Sequence, residues 1–354
     1  MFTGRRGMGK TALLRRCVSE ARKAGAVALY AEASHETSLA TLMRRSLETS
    51  KKEFASVSDR IKGTLDDALR AIPQASFELP EHLGDVRLSP RKRVAKHEAF
   101  RDAIEDLNSA VRKKSRFLVI AIDEIQETPA ESMRALIELT HLSAGTDRPI
   151  LLMGAGLTNS AAHLHEIRTY TERWRYPIIG LLSPEETIAA IQGPATELGV
   201  TFEPKALELL VEETAGYPFF VQEYASACWI MHNGDRITRA DVERVAPGVR
   251  KDLELGYYDN RLRSLSPRET RYILALARLG PGPHSVAEIA AQLGMRTIDV
   301  SSIRSQLVKK EVLFVPWNGV VEFRMPLAER YVERHRPELE QRATIFGQAD
   351  PSAT

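Results

Sequence analysis

The chain has 354 residues, of which 43% are hydrophobic and 27% charged, proportions that predict a globular protein of two or three domains. We expect neither a membrane span nor a signal peptide, because no apolar run is long enough to cross a bilayer and none follows the amino terminus. Cys17 and Cys228 lack the spacing of a disulfide framework or a zinc site, which predicts a cytoplasmic protein. The net charge is only +2, but residues 261–336 contain 13 basic and 7 acidic side chains, so the carboxy-terminal part is basic.

A glycine-rich segment near the amino terminus matches the phosphate-binding motif G-x-x-x-x-G-K-[ST] at every fixed position. The residues predicted to bind nucleotide there are Gly4, Arg5, Arg6, Gly7, Met8, Gly9, Lys10 and Thr11. Glycines let successive backbone N–H groups point at phosphate oxygens, and a helix predicted over 10–23 adds the positive end of its dipole. Lys10 is predicted to contact the β- and γ-phosphates, and the Thr11 hydroxyl to bind Mg²⁺.

Only three residues precede this loop, although such loops normally follow a buried strand. We therefore expect the full protein to have an upstream segment that completes the first strand. Further along, a buried strand is predicted over 26–33, and helices are predicted over about 38–56 and from Phe100 to Val111. The basic run at 91–93 is typical of a solvated face, with nucleic-acid contact as the alternative.

A second motif begins at Phe117, where a continuous apolar run ends in Asp123 and Glu124. Such a run is typical of a parallel strand buried on both faces, and its carboxyl end is where α/β sheets bind ligands. Asp123 is predicted to hold Mg²⁺, and Glu124 to activate the attacking water as the general base. Together with the phosphate loop, these carboxylates predict a nucleoside-triphosphate site.

The strand predicted over 149–153 leads into a polar turn that contains Thr158 and Asn159. Asn159, with Thr158 as a second candidate, is predicted to sense the γ-phosphate; a turn with an Asx cap is the alternative. Arg173 is the candidate arginine finger for the γ-phosphate of a neighbouring subunit, with an ordinary surface arginine as the alternative. A last short strand is predicted from Tyr176 to Leu182.

From Ser183 onward the pattern is helical. Helices are predicted over 184–198, 204–215 and 218–232, with another from Thr238, and they form a bundle of the kind that covers a nucleotide.

Three further helices are predicted over 267–279, 286–293 and 298–310, the last capped by Thr297. Apolar segments at 312–315 and 320–323 then flank Asn318–Gly319, a strong β-hairpin signal. A helix-turn-helix followed by a hairpin predicts a winged helix. Its candidate DNA-binding residues are Ser301, Arg304, Ser305 and Lys309 on the outward helix face and Arg324 on the wing.

These motifs resemble AAA+-type P-loop ATPases related to the STAND group and to archaeal initiator-like ATPases. The resemblance rests on GRRGMGKT, on the Walker B segment IAIDEIQE, on GYPFFVQEY in the lid and on the predicted winged helix. It implies that Tyr217 and Pro218 lie beside the adenine, and that Arg173 lies where such proteins carry the finger. Initiator-type lids often place an arginine shortly after the lid glycine, where this chain has Phe219–Val221. That departure implies slow hydrolysis, as in a nucleotide switch.

We therefore predict an α/β fold, with a parallel-sheet P-loop ATPase core at 1–182, a helical lid at 183–259, a winged helix at 260–336 and a partly disordered tail at 337–354. The predicted function is Mg²⁺-dependent ATP binding and hydrolysis that repositions the winged helix on duplex DNA. The alternative is a signalling or scaffolding switch whose winged helix contacts protein and binds no DNA. Both hypotheses leave a homo-oligomer or a protein partner open. A positive stripe joining Arg304, Lys309 and Arg324 would favour DNA.

Overall fold

The computed structural model describes residues 1–34, 42–43, 45–46, 48, 101–102, 104–105, 107–109, 111, 117–144 and 150–344. Most of the helix predicted over 38–56 and the basic run at 91–93 lie outside these residues. The chain divides into two compact units, Met1–Gly180 and Leu181–Thr354. Within the described ranges, no helix is both long and apolar enough to cross a membrane.

A four-stranded parallel sheet forms the centre of the first unit. Its strands are β1 (Phe2–Thr3), β2 (Val27–Glu32), β3 (Leu118–Asp123) and β4 (Ile150–Gly156), in the order β1-β4-β3-β2. Every residue of β3 is buried, as the continuous apolar run predicts for a central strand. Because the strands are parallel, the loop after β1 and the carboxylates after β3 emerge at the same edge of the sheet.

Alternate residues of the strands pack against helices on opposite faces of this sheet. Helix α1 (Lys10–Lys23) covers one face, where Leu14 and Val18 meet the small side chains of Ala28 and Ala121. On the other face, Ile120 and Ile122 pack with helices α2 (Ala130–Ser143) and α3 (Ser160–Ile167). Because successive side chains of β3 point to opposite faces, the strand contributes to two separate apolar layers. One of these layers packs α1, the helix that follows the phosphate loop, against the sheet.

The strand predicted from Tyr176 to Leu182 is reduced to a single parallel bridge between Thr3 and Ile178. The Thr3 N–H donates to the Pro177 carbonyl oxygen at 3.0 Å, and the Ile179 N–H donates to the Thr3 carbonyl oxygen at 2.7 Å. Pro177 has no N–H to donate, so a regular ladder cannot continue through it. The segment nevertheless borders β1 on the side opposite β4.

The second unit begins with a helical bundle. Its helices are α4 (Pro184–Glu197), α5 (Pro204–Thr214), α6 (Pro218–Met231) and α7 (Arg239–Leu253), with a two-stranded parallel pair of β5 (Thr201–Phe202) and β6 (Arg236–Ile237). Capping boxes begin α4, with Ser183 and Glu186, and α7, with Thr238 and Asp241. These caps explain why the helix starts could be predicted from the sequence.

A π-helical turn, Glu254–Asp259, and a short turn, Asn260–Leu262, lead into the rest of the second unit. The elements that follow are α8 (Pro267–Arg278), β7 (His284–Ser285), α9 (Val286–Leu293), α10 (Thr297–Lys309), β8 (Leu313–Phe314), β9 (Val320–Phe323), α11 (Ala328–Arg334) and α12 (Arg336–Thr344). The three strands form an antiparallel sheet in the order β7-β9-β8. Thr297 does not cap α10 as predicted: it is the first helical residue, and no side chain caps this end.

Glu269 takes part in two interactions, the capping box of α8 and an ion pair with Lys310. It is 5% exposed, and its Oε2 accepts hydrogen bonds from the Ser266 N–H and from Lys310 Nζ, both at 2.7 Å. Burial alone would raise the pKa of Glu269, but the hydrogen bonds from Lys310 and Ser266 together hold the pKa below its ordinary value of 4.5. The ionised carboxylate therefore stabilises the fold.

We expect Glu269→Gln to lower the free energy of unfolding at pH 7 by about 2 kcal/mol, because a charge-assisted hydrogen bond is lost. A lowered pKa stabilises the folded state above the unfolded-state value, and this contribution disappears as the pH falls through the folded-state value. The difference should therefore shrink progressively as the pH is lowered below the ordinary glutamate value of 4.5, in urea titrations followed by circular dichroism. Glu288→Gln, in the exposed capping box of α9, is the control and should cost less. A Glu269→Gln effect that does not change as the pH is lowered would contradict this account.

Candidate active site

The predicted phosphate loop connects β1 to α1. Gly9 adopts a left-handed conformation, with φ of 78°, immediately before the first helical residue. This conformation is readily available only to glycine, so the backbone can turn into the helix with its first N–H groups directed outward. The loop thus has the geometry of an anion site at a helix amino terminus.

The two polar residues of the motif lie in the first turn of α1. Lys10 Nζ donates to the Arg5 carbonyl oxygen at 2.6 Å, so the ammonium folds back over the loop. Burial lowers the pKa of Lys10, and the nearby carboxylates of Glu124 and Asp123 partly offset that effect. Thr11 is exposed at the same helix end.

Asp123 lies at the carboxyl end of β3 and is only 3% exposed. Its Oδ2 accepts a hydrogen bond from the Tyr30 hydroxyl at 2.9 Å, and its Oδ1 accepts one from the Glu124 N–H at 3.0 Å. Burial raises the pKa of Tyr30 to about 12, so this hydroxyl stays protonated and can donate. The Arg15 guanidinium lies 5.1 Å from the centre of the Tyr30 ring. The carboxylate of Asp123 is therefore held in one orientation from two sides.

Glu124 adopts a left-handed backbone conformation, with φ of 47° and ψ of 48°. Such a conformation is costly for a residue other than glycine and is concentrated at functional sites. Gln126 Nε2 donates to Glu124 Oε2 at 2.6 Å. The side-chain oxygen Oε1 of Gln126 accepts from the Leu157 N–H at 3.2 Å and from the Ser160 hydroxyl at 3.1 Å. A chain of hydrogen bonds thus links Glu124 to the turn between β4 and α3.

Asn159 precedes the first residue of α3 and is exposed. Its side chain makes no capping hydrogen bond, so the predicted Asx cap is absent here. Arg173 ends a short 3₁₀ turn, Thr169–Arg173, and is exposed. Because β3 and β4 are parallel, the turn that carries Asn159 lies at the same sheet edge as Asp123 and Glu124.

Two predicted adenine contacts lie in the second unit. Tyr217 is only 1% exposed, and its ring packs 5.0 Å from that of Phe220. Pro218 lines an apolar groove of about 370 Å³ between α4 and α6, together with Leu182, Ile191 and Trp229. Pro218 thus borders the groove, whereas Tyr217 is buried and does not line it.

The residues predicted to bind DNA differ in their contacts and in their exposure. The Ser301 and Ser305 hydroxyls donate to the carbonyl oxygens of Thr297 and Ser301, at 3.1 and 2.9 Å. Arg324 forms an ion pair with Glu311 at 3.4 Å. Lys309 is exposed and Arg304 half-buried. Since Glu311 neutralises Arg324, the predicted positive stripe is interrupted.

The oxygen donors present suit Mg²⁺. Thr11 and Asp123 would supply two protein oxygens, and Mg²⁺ usually takes its remaining ligands from water and substrate phosphates. Over the described part of the chain, no three His, Cys, Asp or Glu side chains cluster as metal ligands. The donor set therefore fits an ion held between protein and nucleotide.

Sequence reasoning missed Tyr30 and Gln126, which contact the two carboxylates directly. A tyrosine within an otherwise apolar strand, paired with β3 in the sheet, was an available signal for Tyr30. For Gln126 the available signal was its position two residues after Glu124, on the 3₁₀ turn Ile125–Glu127.

Two family models match parts of the chain. Residues 1–153 match the AAA ATPase domain family, and residues 255–332 match a domain family of unknown function, DUF8462. A solved structure, the Walker-type ATPase PABY2304 of Pyrococcus abyssi, is 15% identical, with a TM-score of 0.57 over 94% of this chain and 90% of that one. A search of curated proteins found no match.

Two other solved structures align with lower scores. The RuvB Holliday junction branch migration motor of Thermotoga maritima is 16% identical, with a TM-score of 0.42 over 94% of this chain and 86% of that one. The Orc1 protein of Aeropyrum pernix, solved in complex with DNA, is 16% identical, with a TM-score of 0.40 over 96% and 87% of the two chains.

The sequence match and the fold define the class of protein. The amino-terminal part carries an AAA-type ATPase domain, and its parallel sheet presents the phosphate loop and the carboxylates at one edge. Residues 1–153 match the AAA ATPase domain family, and the predicted ATPase class and α/β fold with a parallel sheet are confirmed.

Proposed function

We propose that the chain hydrolyses ATP slowly with Mg²⁺ and uses the nucleotide state to reposition a winged helix on duplex DNA. The supporting observation is the juxtaposition, at one sheet edge, of Lys10 with the carboxylates of Asp123 and Glu124. A cation for the phosphates, oxygen ligands for the metal and a carboxylate base are the groups that phosphoryl transfer to water requires.

Each group at this edge has a separate role. The backbone N–H groups of 4–9 and the Lys10 ammonium bind the phosphates, while Thr11 and Asp123 would hold Mg²⁺, which would supply positive charge at the phosphate oxygens. Glu124 accepts a proton from the water that attacks the γ-phosphorus. The bond between the γ-phosphorus and the bridging oxygen breaks, and ADP and inorganic phosphate are released.

The remaining predicted contacts complete this proposal. Asn159 is exposed at the turn after β4 and would contact the γ-phosphate, while Arg173 would reach the nucleotide of a neighbouring subunit. Pro218, on the wall of the apolar groove, would pack against adenine, with Tyr217 holding it in place from behind.

We assign the last part of the second unit to a winged helix. Helices α8, α9 and α10 and the sheet β7-β9-β8 follow one another in the order expected of that fold. The surplus of positive charge in 261–336 supports DNA as its ligand. Lys309 and Arg324 would contact phosphates, and Ser301, Arg304 and Ser305 would face the bases.

A second candidate function, a switch whose winged helix contacts protein, is favoured by a different observation. Ile298 at the start of α10 is 74% exposed and Trp317 in the hairpin turn is 59% exposed. Exposed large apolar side chains are more typical of protein contacts than of phosphate contacts. The Arg324–Glu311 pair removes a cation from the same surface.

A salt titration of duplex binding by the intact chain, with ATP, with ADP and without nucleotide, separates these functions. Contacts to phosphates release counterions, so we expect binding to weaken roughly tenfold or more between 50 and 200 mM salt. Lys309→Ala should lower the magnitude of the log–log salt slope by about one. Lys205→Ala, which removes an exposed lysine on α5, is the control and should leave the slope unchanged. Absence of duplex binding at 50 mM salt would exclude the DNA function and leave the protein switch.

A further inference from the structure

Gln126 contacts both the base proposed for the reaction and the turn proposed to sense the γ-phosphate. Its Nε2 donates to Glu124 Oε2 at 2.6 Å, whereas its Oε1 accepts from the Leu157 N–H and the Ser160 hydroxyl. The side chain thus spans from the residue after β3 to the residues after β4. The three hydrogen bonds use both ends of one carboxamide.

The orientation of this carboxamide is fixed by its partners. The Leu157 N–H is a backbone group that can only donate, so the atom facing it must be the carbonyl oxygen. Reversing the amide would place its NH₂ group against this donor and its oxygen against the Glu124 carboxylate. Gln126 therefore presents a donor to Glu124, and Glu124 Oε1 is left as the proton acceptor.

Gly156, at the end of β4, leaves room for the Gln126 carboxamide. A Cβ on Gly156 would lie 2.7 Å from Gln126 Oε1 and 2.3 Å from Ser160 Oγ. These separations are below van der Waals contact, so a side chain at 156 would displace the carboxamide. The end of β4 thus leaves space for the contact between Gln126 and Ser160.

We propose that Gln126 is a positioning residue that orients the Glu124 carboxylate toward the attacking water. A glutamate has three rotatable side-chain bonds, and a base that is free to rotate spends little time in the productive geometry. The hydrogen bond from Nε2 restricts this rotation and ties Glu124 to the turn that contains Asn159. The inference rests on the proposed function, because it takes Glu124 as the base.

Gln126→Glu tests this role, since it keeps the size of the side chain and the acceptor oxygen that faces Leu157 and Ser160 but replaces the donor to Glu124 with a second carboxylate oxygen. Because a hydrogen bond to a charged group is lost, kcat for ATP hydrolysis should fall roughly 10- to 100-fold. Gln126→Ala removes the donor without adding a charge, so its dissociation constant for ATP should stay within about twofold of wild type and its circular dichroism spectrum should show a folded protein. Gln126→Ala should lower kcat to the same range.

Two controls separate orientation of the base from support of the turn. Ser160→Ala removes one donor to Gln126 but leaves the bond to Glu124, so kcat should change less than about threefold. Gly156→Ala retains Gln126 but displaces its carboxamide, so kcat should fall as in Gln126→Ala.

The outcomes distinguish this inference from the proposed function. If wild type hydrolyses ATP and Gln126→Glu does so at the same rate, Gln126 supports only the turn and the positioning role is overturned. If wild type does not hydrolyse ATP, the proposed function fails, and the role of Gln126 fails with it. A loss of kcat in both Gln126 variants, with unchanged ATP affinity in Gln126→Ala and with Ser160→Ala close to wild type, supports the proposal.

Discussion

Lys10→Ala is expected to abolish ATP binding, with a loss of affinity of roughly 100-fold or more. Lys10 is partly buried at the start of α1, and burial lowers its pKa, so its ammonium is partly desolvated. Removing one partner of a desolvated charge pair costs about 2–5 kcal/mol. The bound phosphates would lose the positive charge closest to their β- and γ-oxygens, and the backbone N–H groups alone cannot replace it.

This expectation is checked by titrating a fluorescent ATP analogue into the protein in the presence of Mg²⁺. Lys23→Ala is the matched control, since Lys23 lies at the other end of the same helix, where it pairs with Glu20 in solvent. The control should bind as wild type does. Undiminished affinity in a folded Lys10→Ala protein would contradict the placement of the phosphates in this loop.

Glu124→Gln is expected to retain ATP binding and to lose hydrolysis by roughly 10²–10⁴-fold. The amide has nearly the same shape as the carboxylate, so contacts to the nucleotide survive. It cannot accept a proton from water, and general-base catalysis contributes a factor of this size. Gln126 Nε2, which now donates to the carboxylate, can still donate to the amide oxygen.

Single-turnover hydrolysis and nucleotide affinity should be measured in the same preparations. Glu131→Gln, in the first turn of α2 and exposed, is a control that removes a nearby carboxylate from the same segment. A Glu124→Gln protein that turned over ATP at the wild-type rate would show that another group takes the proton.

Local chemistry made several parts of this fold predictable. Helix α1 begins and ends at the residues expected, because a Gly-Lys-Thr segment precedes a regular apolar stripe. Strand β3 was predictable because a strand buried on both faces has no polar residue until it ends at Asp123. In both cases neighbours in sequence carry the information.

The features that could not be predicted depend on pairs distant in sequence. Gln126 acquires its role only when Leu157 and Ser160 are brought against it by the pairing of β3 with β4. From the sequence, Arg324 is a candidate DNA-binding cation on the wing. Its ion-pair partner Glu311 precedes β8, whereas Arg324 itself follows β9. Sequence spacing gives no distance between such groups.

Phosphate release from ATP by the intact wild-type chain, measured with Mg²⁺ and again with excess EDTA, tests the central claim most directly. The account predicts slow turnover that saturates with ATP and stops when the metal is removed, because the oxygens of Thr11 and Asp123 act through Mg²⁺. Turnover that is insensitive to EDTA, or no turnover at any ATP concentration, would contradict it.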